Sequence, residues 1–308
     1  MAPRPPAKLT SSTRTSCPAC GGVLADWPLG PGLRLLRCTS CGSAVSANEA
    51  PHEDAYLQPS SRRLSRGLGA VLALGVRDQL RALGPLPPQS RILDLGAGDG
   101  RLAAALAERG HSVTAVEPVR NVAAAAGVPN VTVLRGRIED LDLPEGSFDV
   151  AILWHVLEHL SSPVETLGRV RGWIAGGGRL VVAVPNLASW QARLGGRGWF
   201  HLDPARHVVH LTPAGLEALL ERSGFSKSRR RSVFFDQALP GMWMTLLERS
   251  SGRSGALRVF VRREPTTRKD IATAAVLAAP ALVAAIPFEL AASAAGRGGV
   301  IVVEAGTE

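Results

Sequence analysis

Cysteine is scarce in this chain of 308 residues: four are present, and all lie before residue 42. Nothing beyond that point can rest on disulfides or on thiolate-held metal. Met1 to Ser16 has no apolar core, which excludes a secretory signal in that stretch and makes the cytoplasm the expected compartment. Aromatic residues make up 5% of the chain, and Tyr56 is the one tyrosine. No basic stretch is interleaved with aromatics, so a surface for stacking unpaired bases is missing. Ile271 to Phe288 comes nearest to a membrane span, with 18 residues and no charge. A span needs about 20 predominantly apolar residues, and this run is Ala-rich and interrupted by Pro280 and Pro287.

What is present is enough apolar material for a sizeable core, 45% of the residues, under a formal charge of +9. The charge is uneven: residues 223–270 hold 11 Lys/Arg against 4 Asp/Glu, and residues 1–90 hold 10 against 5. Such a surface suits a phosphorylated ligand, an anionic membrane or a nucleic acid, and equally a plain solvated face.

The cysteines form two knuckles, Cys17-Pro18-Ala19-Cys20 and, after 17 residues, Cys38-Thr39-Ser40-Cys41, each followed by a glycine, Gly21 and Gly42. Cys17, Cys20, Cys38 and Cys41 fit a tetrahedral Zn2+ site, structural because four thiolates leave no position open for chemistry. Val23-Leu24 and Leu33 to Arg37 read as the strands of a zinc ribbon over 16–45, behind a disordered tail over 1–15. Residues 46–89 read as a linker followed by a helix over 62–83. In that helix Leu64, Leu68, Val71, Leu72, Val76, Leu80 and Leu83 recur near helical spacing, and Gly84-Pro85 stops it.

From residue 90 strands and helices alternate. Strands are predicted at 91–95, 112–116, 131–134, 148–153, 179–184, within 229–235 and at 299–303; helices at 100–108, 119–126, 163–174 and 213–223. This is an α/β sheet, and ligands of such sheets sit beyond the C-terminal strand ends. The first strand runs into Asp94-Leu95-Gly96-Ala97-Gly98-Asp99-Gly100. Glycines let the backbone pass close under a ligand, and the following helix start offers N–H groups. The second strand leads to Glu117, where a carboxylate can accept from both hydroxyls of a ribose. A dinucleotide turn would continue G-x-x-G after Gly98. That step is absent, and Asp94 suits an ammonium group better than a phosphate. S-adenosylmethionine therefore fits better than NAD.

These segments resemble the class I S-adenosylmethionine-dependent methyltransferases, in particular the group around the ubiquinone-biosynthesis O-methyltransferases. The resemblance is carried by Ile92 to Gly100, Val116-Glu117-Pro118, Gly136-Arg137-Ile138-Glu139-Asp140-Leu141, Phe148-Asp149-Val150, His155-Val156-Leu157-Glu158-His159-Leu160 and Gly177 to Val181. It covers roughly residues 90–235. It implies a Rossmann-like seven-stranded sheet over 90–308 whose last strand is antiparallel, with about 238–297 as a helical insertion before that strand. It also implies cofactor contacts at Asp94, Gly96, Ala97, Gly98, Glu117, Pro118, Ile138, Glu139, Trp154 and His155. Arg137 stands where many relatives carry an Asp toward the adenine amine.

Methyl transfer is an in-line attack that rests largely on alignment and desolvation, and an oxygen nucleophile usually needs a base. His207, in Arg206-His207-Val208-Val209-His210 ahead of a Thr212-Pro213 helix start, is the first candidate. His155 and His159, in His155-x-x-Glu158-His159, converge if helical. They offer catalytic help, a second divalent-metal site, or simply local order. Leu187 after Pro185-Asn186 is not aromatic, which argues against methylation of adenine-like amines. The apolar insertion, with Met242, Trp243, Met244, Leu246 and Leu247 nearby and a band of arginines from Arg249 to Lys269, fits three partners: an anionic membrane at its inner face, a greasy acceptor, or a homodimer seam. The expected activity is methyl transfer to O or C of a small, lipophilic, natural-product or lipid-linked acceptor. The alternatives are an RNA-base methyltransferase that uses the ribbon and basic surface, and a non-catalytic partner protein of the same fold.

Overall fold

The computed structural model describes residues 15–29, 34–47, 69–118, 122–203, 206–231, 233–250 and 268–307. Residues 1–14 of the tail expected over 1–15, Tyr56 and the first turns of the helix predicted from residue 62 lie outside these. Three short antiparallel strands come first: β1 (Leu24–Pro28), β2 (Arg34–Cys38) and β3 (Ala44–Ser46). Helix α1 (Gly69–Leu83) leads into β4 (Arg91–Leu95), α2 (Arg101–Ala107), β5 (Ser112–Glu117), β6 (Val131–Arg135), β7 (Phe148–Trp154) and α3 (Pro163–Trp173). There follow β8 (Ile174–Pro185), α4 (Trp190–Gly195), β9 (Val209–His210), α5 (Pro213–Arg222), β10 (Ser226–Arg231), α6 (Ala238–Ser250), α7 (Arg268–Ala294) and β11 (Val300–Gly306).

Seven strands make one sheet in the order β10-β11-β8-β7-β4-β5-β6. Strands β4 to β8 run parallel, and β11 is antiparallel to both its neighbours. This is the Rossmann-like seven-stranded arrangement expected from the sequence, with a helical insertion before the last strand. Successive strand residues point to opposite faces, and here both faces are apolar. Leu93, Leu95, Leu153 and Val182 face the side covered by α3 and α5, whereas Ile92, Val150, Ile152 and Val181 face α1 and α2.

Two short elements escaped the sequence pattern. Strand β9 pairs with β3, Val45 opposite Val209 and Ala44 opposite His210, so the cysteine unit continues into a segment that follows β8. Helix α4 begins at the N-cap Ser189, whose side chain accepts from Ala192 N. The helix predicted over 119–126 does not form in its described part: residues 123–127 are turns. Ala124 N donates to Asp99 O at 2.9 Å, and Ala125 N and Ala126 N both donate to Val122 O. Val122 and Ala125 pack where a side chain at Gly100 would stand, so docking on the glycine turn overrides the helix propensity of the alanines.

The apolar run extends further than its uncharged part. Helix α7 continues past Phe288 to Ala294 with Pro280 and Pro287 inside it. Its 24 residues from Ile271 to Ala294 are long and apolar enough to cross a membrane by length and composition. The one acidic residue in that stretch, Glu289, is buried and accepts from Gln191 Nε2 at 2.9 Å and Gly299 N at 2.7 Å.

Candidate functional site

The turn after β4 passes under the open end of the sheet. Gly96 N and Ala97 N donate to Val116 O at 2.8 and 3.0 Å, which ties the turn to the end of β5. Gly96 has φ 76° and presses against Val156, leaving no room for a side chain. Gly98 has φ 57°, and a Cβ there would meet nothing within 4 Å. The backbone is therefore bare to an open space at Gly98, and its N–H donates to Glu117 Oε2 at 2.8 Å. Below the turn, Asp94 is buried, and its Oδ2 has no hydrogen-bond partner. Burial, aided by the charge of Glu117, pushes this carboxyl up to about 7. An orphaned buried carboxylate oxygen near an open glycine turn and a second carboxylate fits a ligand that carries an ammonium group and a diol. Ile138 is buried and Glu139 exposed in a single 3-10 turn, Ile138–Asp140, while Pro118 is exposed beside Glu117.

The end of β7 carries a second cluster. Trp154 Nε1 donates to Asp236 Oδ2 at 2.6 Å. His155 holds φ 55°, a left-handed conformation that residues other than glycine adopt infrequently. Its ring lies between two carboxylates, Nδ1 3.4 Å from Glu158 Oε1 and Nε2 3.3 Å from Asp236 Oδ2. Burial alone would lower its pKa, but Asp236 and Glu158 raise it to about 10. Burial would likewise raise Glu158, but the ring of His155 and the nearby histidines bring it to about 2. The cluster is thus a charged His155 between two anions. No motif in the sequence marks Asp236. Its loop is anchored by Asp78, whose Oδ2 accepts from Phe234 N, from Phe235 N at 2.8 Å and from Asp236 N at 3.4 Å. The signal available is an acid between Phe234-Phe235 and Gln237, five positions after Arg231, the last of a run of arginines.

His155 reaches Glu158, but His155, Glu158 and His159 do not share a helical face. Only Leu157–His159 form a 3-10 turn, and His155 stands outside it. Glu158 and His159 instead meet His207: one ligand atom from each lies within 4.8 Å of the others. The rings of His159 and His207 are 4.8 Å apart, and His210 follows at 6.1 Å from His207. His207 Nδ1 lies 2.8 Å from His201 O, and His159 Nδ1 2.9 Å from Arg206 O. A carbonyl only accepts, so Nδ1 carries the proton in both rings and the Nε2 lone pair faces away from it. Burial holds His207 down to about 4, and His201 and His210 down to about 3. All three are neutral at physiological pH.

The four cysteines converge as their spacing predicts. Cys17 Sγ and Cys41 Sγ are 3.7 Å apart, Cys20 Sγ and Cys38 Sγ 3.4 Å. Ligand sulfurs on a tetrahedral Zn2+ are about 3.8 Å apart for bonds near 2.3 Å, so this cluster is able to hold a structural metal. The two knuckles repeat one backbone pattern, Gly21 N to Cys17 O and Gly42 N to Cys38 O. The knuckles also reach the histidine segment. Thr212 Oγ1 donates to Cys41 O at 2.6 Å, Ser46 Oγ donates to His207 O at 2.8 Å, and Ser46 N donates to Val208 O at 3.0 Å.

Residues 72–228 match a family described as a methyltransferase domain. The ubiquinone biosynthesis O-methyltransferase of Azorhizobium caulinodans is 31% identical over 176 residues, 53% of this chain and 68% of that protein. An uncharacterized methyltransferase of Mycobacterium tuberculosis is 34% identical over 114 residues, which span 35% of this chain and 43% of that relative's length. Among solved structures, a chain of the complex between the Haloferax volcanii Trm112 methyltransferase activator and a methyltransferase superposes with a TM-score of 0.53 at 16% identity, covering 84% of this chain and 99% of that one. That likeness speaks for the fold.

Proposed function

The chain belongs to the methyltransferase-domain family, and from this premise we propose that it is an S-adenosylmethionine-dependent methyltransferase that methylates an oxygen or carbon of a small, lipophilic, natural-product or lipid-linked acceptor. S-adenosylmethionine, when bound, supplies a methyl group activated by a sulfonium. In this reading Asp94 faces the ammonium, Glu117 exchanges the Gly98 N–H for the ribose hydroxyls, and the Gly96–Gly98 backbone runs beneath the methionine part. Ile138 and Glu139 border the adenine, and Trp154 and His155 border the reacting end, with Pro118 at the rim. The observation that carries this reading is the partnerless, buried Oδ2 of Asp94 beside the open space at Gly98.

The histidines divide the remaining work. His155 is already protonated between Asp236 and Glu158, so it contributes charge and position rather than proton acceptance. His207 is neutral, its Nδ1 proton committed to His201 O, and its Nε2 lone pair is the proton acceptor for a hydroxyl nucleophile. The Glu158 carboxylate nearby stabilises the imidazolium that results. A second reading has one observation in its favour. Glu158 Oε2 is buried with no hydrogen-bond partner, and with His159 and His207 it forms a set able to take a divalent cation that would lower the pKa of the acceptor hydroxyl.

Calorimetric titration with S-adenosylhomocysteine tests the cofactor site: wild type binds, while Gly98→Arg and Glu117→Ala lose affinity at least about tenfold. Unchanged binding in both variants rejects the site. Transfer of a labelled methyl group to phenolic and lipid-linked acceptors, with and without a chelator, then separates the two readings of the histidines.

A further inference from the structure

Helix α7 has two unlike sides. Ala281, Ala285, Ala292 and Glu289 are buried; Ala281 packs with Met244 and Leu247 of α6, and Trp243 Nε1 of α6 donates to Ala278 O at 2.8 Å. On the opposite side Val276 is 73% exposed, Val283 70% and Leu290 53%, with Leu282 and Ile286 also exposed. These positions recur at three- and four-residue steps, so they form one stripe running most of the helix length, and no charged residue lies between Ile271 and Phe288. A contiguous apolar stripe of this kind marks an interaction surface.

The charges beside it identify the partner. Arg268 at the start of α7, Arg297 just beyond its end and Arg249 at the end of α6 are all exposed. Residues 249–269 carry seven Lys/Arg against one Glu. A second copy seated on this face would bring basic groups against basic groups. A spanning orientation conflicts with the buried Glu289 and its bonds to Gln191 and Gly299, and with β11, which pairs with β8 within a few residues of the helix end. Pro280 and Pro287 lie on the exposed side, where each removes a helical donor and leaves a carbonyl in need of water or a headgroup. We propose that α7 lies flat on an anionic lipid bilayer, its apolar stripe in the headgroup boundary and the arginines at its ends on lipid phosphates.

The placement deepens the proposed function and rests on it in one respect, the lipid-phase acceptor. The opposite side of α6 meets the histidine segment: Gly241 packs on the His201 ring, and Phe200 N donates to Thr245 Oγ1 at 3.1 Å. Helix α6 thus stands between α7 and the segment that leads to His207.

Flotation of the full chain with vesicles tests the docking. Vesicles of phosphatidylcholine mixed with phosphatidylglycerol are expected to carry the protein up, and pure phosphatidylcholine to carry at least about tenfold less. The double variant Val276→Asp/Val283→Asp changes only exposed positions and should lower co-flotation by about tenfold or more, while S-adenosylhomocysteine binding by the same preparation stays unchanged. Absence of co-flotation, co-flotation undiminished in the variant, or a dimer that the variant splits would each overturn the proposal. Loss of S-adenosylhomocysteine binding in wild type would instead strike the proposed function and leave the docking result intact.

Discussion

Asp94 is a carboxyl group in surroundings that disfavour its charge, and that makes it a sensitive reporter. Its pKa is pushed up to about 7 by burial and by Glu117. A cationic ammonium set beside it would draw it down again, so cofactor binding below pH 7 should release a proton. Calorimetry in buffers of different ionisation enthalpy reads this release directly, and Asp94→Asn should abolish it and weaken binding about tenfold. Asp236 makes the complementary prediction. Asp236→Asn keeps the shape and the acceptor for Trp154 Nε1 but removes one of the two anions on His155. The His155 imidazole resonances should then titrate well below pH 10, and kcat should fall more than cofactor affinity. At His207, a Gln substitution should slow transfer to a phenol near neutral pH, with the deficit shrinking at pH values where the phenol ionises unaided. A deficit that is independent of pH would remove His207 from the proton-accepting role.

At the scale of elements, the cysteine unit and the histidine segment are one construction. Strand β3 pairs with β9, Ser46 holds the His207 carbonyl, and Thr212 both caps α5 and donates to Cys41 O. Stripping the metal, or Cys41→Ser, should therefore raise amide exchange across 207–212 and raise the acceptor KM, while S-adenosylhomocysteine affinity stays within about twofold. Thr212→Ala should cost about 1 kcal/mol through the lost cap alone. A ribbon that merely decorates the enzyme would leave exchange in that segment untouched. This junction is not legible in the sequence, because β3 and β9 are three and two residues long and lie more than 160 residues apart. The glycine turn, the parallel strands and the cysteine knuckles were legible, since each is specified by neighbouring residues. The alanines at 123–126 misled for the reverse reason: their local preference is helical, but a bare Gly100 offers them a tighter seat. Asp236 reaches its partners from another stretch of chain altogether, and no local pattern encodes that meeting.

At the scale of the whole molecule, the buried histidines set the response to pH. His201, His207 and His210 are held neutral in the fold, whereas an unfolded chain protonates them below about pH 6.5. Stability contributed by their neutral burial is lost as pH falls. Asp94 acts in the opposite sense between about pH 4 and 7, because the fold keeps a proton that the unfolded chain has released. Three groups against one give a descending acid limb. On the alkaline side His155 keeps its proton up to about 10, so its contribution drains away between about pH 6.5 and 10. Chemical denaturation followed across pH should show greatest stability near neutrality and a fall on both sides. A profile flat from pH 4.5 to 7 would contradict the neutral histidines.

The position of β11 has a further consequence for biosynthesis. It fills the gap between β8 and β10, although both of those strands emerge from the ribosome long before it does. A nascent chain paused near residue 295 would present two facing, unsatisfied strand edges together with a greasy helix that has not yet been locked in place. Such an intermediate invites chaperone capture or early adsorption to lipid, and the sheet can close only once Val300–Gly306 has emerged.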